Sequence, residues 1–135
     1  MPPDLIHFLK DVLGCACPDE VLADIRVVPD PDGFAGLPVD FLLRVGGRLL
    51  VGICASGAPG AVAELLPRCF AAGRALRDAE GFNRFRLVVG SSDVDQDANL
   101  LRAAFDDLPM RDDKLHLHAI TRSELPEALT TRPPE

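Results

Sequence analysis

The four cysteines and three histidines of this 135-residue chain are the side chains whose spacing first suggests chemistry. Cys15 and Cys17 form a Cys-x-Cys pair directly before Pro18-Asp19-Glu20. Proline suits the first position of a helix and acids suit its positive end, so Cys17 is expected as the N-cap. A thiol there gains thiolate character from the free backbone N–H groups, whereas Asp19 and Glu20 oppose it. One expectation is thiol or redox chemistry at this pair. The other is a packed cysteine beside a capping one. Adding Cys54 and Cys69 gives four sulfurs for a metal, but structural zinc sites space paired ligands about two to four residues apart, and Cys69 falls on an apolar helical stripe that burial explains. His116 and His118 alternate along one strand, so they point to one side and can meet a metal with Asp112 or Asp113. The same alternation is that of a solvated strand face.

Other motifs stop short. Gly52, Gly57 and Gly60 lie in a strand-to-helix connection able to hold an anion, yet the stretch matches neither of the glycine-rich phosphate fingerprints. Asp93, Asp95 and Asp97 open like a calcium loop, but Ala98 and Ala104 replace its glycine and its bidentate glutamate. Arg68, Arg74, Arg77, Arg84 and Arg86 make a central basic set that binds nucleic acid only if the five share one surface.

Charge weighs against that last reading. The formal net charge is −7, with residues 1–40 and 91–135 acidic and 41–90 basic. A negative field repels phosphate backbones, and with no Trp or Tyr base stacking has few partners. Nucleic acid is therefore not an expected partner. The N-terminal residues lack the pattern of an export signal, and the longest uncharged run, 49–63, is too short and too rich in glycine to span a bilayer. A cytoplasmic location is expected, where thiols stay reduced.

These residues must be positioned by a small set of elements. At 47% apolar residues the chain can fill one core. Apolar spacing predicts a helix over 5–13, capped by Asp4 and closed by Gly14, and a short second helix from Pro18. Residues 25–29 read as a strand. Val39–Val45 and Arg48–Ala55 read as a hairpin about Gly46-Gly47, the composition of a two-residue primed turn. Pairing outward from such a turn puts Asp40, Leu42, Arg44, Leu49, Val51 and Ile53 on one face and Val39, Phe41, Leu43, Val45, Leu50, Gly52 and Cys54 on the other. Both faces are apolar, so both need cover, from helices or a second subunit. A helix follows over 59–80, kinked or split at Pro67, with Arg68, Arg74 and Arg77 on its wetter side. Then come a strand at 84–90, a helix capped by Ser91 or Ser92, a strand at 115–120 and a last turn from Ser123.

The fold expected is α/β (α+β): a single mixed sheet of four or five strands with flanking helices in one domain over 1–128, followed by a mobile tail at 129–135. Its element order, with Asp40 before the hairpin turn and Gly52-Ile53-Cys54 after it, is similar to the core of restriction-endonuclease-like folds over residues 5–90. The resemblance implies that Asp40 stands at the first metal-binding carboxylate and Gly52-Ile53-Cys54 at the E-x-K positions, so that the nuclease chemistry is lost. The function expected is that of a non-catalytic domain acting by association, as a homodimer or with a protein partner. Thiol or metal chemistry at Cys15 and Cys17, or an inactive nuclease-like domain, is the alternative. No cofactor is expected.

Overall fold

The computed structural model describes residues 3–14, 19–29, 31, 33–34, 36–55, 58–108, 113–126 and 129. Five strands form one mixed sheet in sequence order: β1 (Ile25–Pro29), β2 (Phe41–Val45), β3 (Leu49–Cys54), β4 (Arg84–Ser91) and β5 (Leu115–Thr121). The first three pair antiparallel, while β3, β4 and β5 run parallel. Parallel neighbours need a crossover, and α3 (Pro59–Glu80) and α4 (Val94–Asp106) supply the two. The mixed sheet with flanking helices is thus the architecture read from the sequence.

The hairpin corrects the reading of its faces. Gly46 and Gly47 both take positive φ, 56° and 68°, and the Arg48 N–H closes the turn on the Val45 carbonyl at 3.0 Å. Val45 nevertheless pairs with Leu49, so Arg48 is a third residue of the turn and stands outside the ladder. One inserted residue inverts the alternation of β3 relative to β2. Phe41, Leu43, Val45, Leu49, Val51 and Ile53 therefore share one core, and Leu42, Leu50 and Cys54 share the other.

Both faces are covered by the chain itself. The first core is closed by α1 (Pro3–His7), which widens into a π-helical turn over Phe8–Val12 and brings Leu5, Phe8 and Leu9 onto the sheet. α2 (Asp19–Leu22) adds Leu22, and the 3₁₀ turn Arg122–Glu124 leads to Leu125 and Leu129. Leu129 is fully buried, so the chain expected to be loose from 129 onward keeps its first residue in the core; residues 130–135 lie outside the described set. The second core is closed by α3 and α4 through Val62, Leu66, Phe70, Leu101 and Phe105. α3 runs unbroken through Pro67, which lies on an exposed side of the helix. α4 is capped by Asp93, which accepts from Gln96 N–H, and Ser91 is instead a buried end of β4.

The sheet ends differ. β1 is five residues long and carries Arg26 and Pro29 on an exposed edge. β5 is seven residues long, without lysine, proline or bulge, and no described strand lies outside it.

Candidate functional site

Alternation along β4 sends Phe85, Leu87 and Val89 into the core under α3 and α4, and Arg84 and Arg86 to the opposite face. On β5 it sends Leu115 and Leu117 into that core and His116 and His118 to the same face as the two arginines. The parallel register sets Arg86 beside His116 and Val88 beside His118. Each guanidinium leans outward across the sheet: Arg84 Nη1 lies 2.8 Å from His116 Nε2, and Arg86 Nη1 lies 2.8 Å from His118 Nε2. Both donors are permanently cationic, so each Nε2 is the acceptor and the imidazoles are neutral. Arg84 also donates to the Asp113 carbonyl at 3.4 Å.

Positive charge gathers here, and no described residue supplies a counter-ion. Among the described residues neither Arg84 nor Arg86 forms an ion pair with a carboxylate. Arg86 Nε is enclosed and unpartnered, a loss of about 1–3 kcal/mol for a buried donor. Burial, then the Arg84 charge, lowers the Arg86 pKa below the usual guanidinium range. Burial first, and then Arg86, His116 and Arg102 near it, together push His118 down to about 4. Arg102 comes from α4 on the other side of the sheet, stacks 5.4 Å over the Phe105 ring and points Nη2 at the Leu117 carbonyl, 3.5 Å away.

That carbonyl belongs to the open edge. Phe85 N–H donates to the Lys114 carbonyl, and in a parallel ladder the pattern then alternates. His116, His118 and Ile120 turn their backbone groups toward β4. Leu115, Leu117, Ala119 and Thr121 turn theirs outward. The edge of β5 is thus a row of main-chain donors and acceptors that pair with no described strand, flanked by Arg84 and Arg86 on one face and by Arg102, which reaches the Leu117 carbonyl, on the other.

The other expected residues are placed differently. The five arginines of the basic set do not share a surface, because α3 lies on the sheet face opposite Arg84 and Arg86. Arg77, expected on the wet side, is buried at 6% exposure with Nε and Nη2 both 3.1 Å from the Asp78 carboxylate; Arg74 pairs with the same aspartate at 3.9 Å, and Arg68 is exposed. Cys54 and Cys69 are free and buried. Burial pushes the Cys54 thiol well up, with Cys69 and Asp40 adding to it, and raises Cys69 to about 11. Cys15 and Cys17, and with them the thiol reading, lie outside the described residues, as does Asp112. Among the described residues no group of three or more His, Cys, Asp or Glu is placed to hold a metal ion. His116 and His118 converge on arginines instead.

The corrected register brings Asp40 to the same face as Cys54 rather than the opposite one, near enough for its charge to act on that thiol. Asp40 is 3% exposed, and its carboxylate accepts the Ala55 N–H at 2.8 Å while its own N–H donates to the Ile53 carbonyl at 2.7 Å. It holds the end of β3 in place. A Cβ on Gly52 would lie 3.1 Å from Leu87 and 3.2 Å from Phe85, so the space a side chain needs at the first E-x-K position is filled by the core.

Comparison with protein-family models, with curated proteins and with solved structures finds no match. Among the described residues no helix is long and apolar enough to cross a membrane.

Proposed function

We propose that the protein is a non-catalytic domain that acts by association, taking an extended segment of a partner polypeptide along the β5 edge. The observation that carries this reading is the contrast between the two sheet edges. β1 is shortened and armed with Arg26 and Pro29, devices that discourage strand addition, whereas β5 is seven residues long and regular, with neither lysine nor proline and with Arg102 at its Leu117 carbonyl. A terminal strand of this kind is the template for β-augmentation, in which main-chain hydrogen bonds supply affinity and alternate side chains supply selectivity. The apolar faces of the β2–β3 ribbon, which on sequence grounds called for cover by helices or a second subunit, are covered from within the chain. Asp40 and Gly52 serve structure: one caps the end of β3 and the other makes room for Phe85 and Leu87. A reducing, cytoplasmic setting belongs to the same reading.

Site-specific photocrosslinking in cells tests it. A photoreactive residue at Thr121 is expected to capture a partner that the same residue at Arg68, on the exposed side of α3, does not capture. Equal capture at both positions, or none at either, overturns the reading.

A further inference from the structure

We propose that the segment received by the β5 edge is acidic, its carboxylates being held by Arg84 and Arg86 on one face of the sheet and by Arg102 on the other. The inference rests on the association reading and names the chemistry of the partner. A strand laid beside β5 places alternate side chains over the His116–His118 face, toward which both guanidinium groups already lean from β4. Each arginine spends Nη1 on a neutral imidazole and keeps its Nη2 unbonded to any described residue. On the other face Arg102 sits at the Leu117 carbonyl, in the path the incoming backbone would take, and on release presents a third cation to the strand.

Charge selects the occupant. In a chain of net charge −7 this edge gathers three arginines with no described counter-ion. A second copy of the chain, paired edge to edge, would bring each cluster against its own equivalent. Like charges so placed repel, while a segment rich in Asp or Glu compensates all three. A polyphosphate backbone offers charge but no main-chain ladder to complete the strand, which favours a polypeptide.

Fluorescence anisotropy with two labelled ten-residue peptides, one alternating Glu and Val and the other Lys and Val, tests the proposal on the full chain. The Glu/Val peptide is expected to bind at low salt and to weaken as salt is raised, with no binding of the Lys/Val peptide. Ala119→Pro removes an outward N–H without touching the β4 ladder and is expected to abolish binding. Arg84→Gln with Arg86→Gln is expected to weaken it at least tenfold, and Arg84→Glu with Arg86→Glu to transfer preference to the Lys/Val peptide. Circular dichroism verifies that each variant is folded, and Arg102→Gln, an exposed change on α4, gives an independent loss. Equal binding of both peptides overturns the acidic specificity and leaves the edge reading standing. Binding of the Glu/Val peptide that survives Ala119→Pro overturns both, since charge alone then acts elsewhere. No binding of the Glu/Val peptide overturns the inference, while the edge reading is decided by the photocrosslink.

Discussion

Acidification should weaken the fold through His118, and the structure sets the size of the effect. Burial first, then Arg86 on β4, His116 on its own strand and Arg102 on α4, hold its pKa near 4 against an ordinary value of 6.5. The unfolded chain therefore takes up a proton as pH falls through 6.5, whereas the folded chain resists until about 4. Stability from the neutral imidazole is present above 6.5, is lost progressively across that window and changes no further below about 4. Each pH unit of displacement is worth about 1.4 kcal/mol, so the full separation corresponds to about 3 kcal/mol. The ring is only partly buried, and solvent screening reduces this to about 1–2 kcal/mol. Carboxylates also titrate in this range, so the measurement is a difference: urea unfolding of the native protein and of His118→Gln at pH 7 and at pH 4.5. Glutamine keeps an acceptor for Arg86 and carries no proton. The variant is expected to lose about 1–2 kcal/mol less than the native protein between the two pH values. Parallel losses would show that His118 is not held neutral by its surroundings, and the account of uncompensated positive charge at β4 and β5 would fall with it.

Three further outcomes follow from the packing. Gly73→Ala would normally strengthen a helix by about 1 kcal/mol, but here its Cβ would lie 2.4 Å from the buried Phe85 ring, so a net loss of about 1–2 kcal/mol is expected by thermal unfolding, with partial rescue by Phe85→Leu. Asp40→Ala leaves the Ala55 N–H without its acceptor, and a loss of about 1–3 kcal/mol in denaturant unfolding is expected. Cys54 and Cys69, buried and with raised pKa, should resist a thiol reagent at pH 8 in the folded protein and react once urea unfolds it; rapid native labelling at either position, mapped by mass spectrometry, would contradict their burial.

Much of the fold was legible because apolar spacing is a local property. The 3.6-residue stripe Leu101, Phe105 and Leu108 marked α4, and the strands at 25–29 and 84–90 followed from runs of β-branched and apolar residues between turn signals, the second running one residue further in the structure. Reading the hairpin faces failed at a single residue: Gly46-Gly47 fits a two-residue turn, but the Arg48 carbonyl is taken by Asn83 and Arg84 N–H groups from the start of β4, which draws Arg48 out of the ladder. That contact lies more than thirty residues away in sequence. The candidate site was half visible, since Arg84-x-Arg86 and His116-x-His118 each alternate as strand faces. Nothing local says that the two faces coincide, or that Arg102 joins them from across the sheet.

Composition and periodicity alone determined that this chain builds one mixed sheet between helices, since each element buries an apolar stripe or face set by its own residues. Tertiary structure decided the register of β2 against β3, which elements cover the two faces of that ribbon, the separation of Arg84 and Arg86 from the arginines of α3, and the place of β5 at the end of the sheet. The physical reason is that a pattern of side chains fixes which surface of an element avoids water, while register, strand order and charge neighbourhoods arise from contacts between residues far apart in the chain.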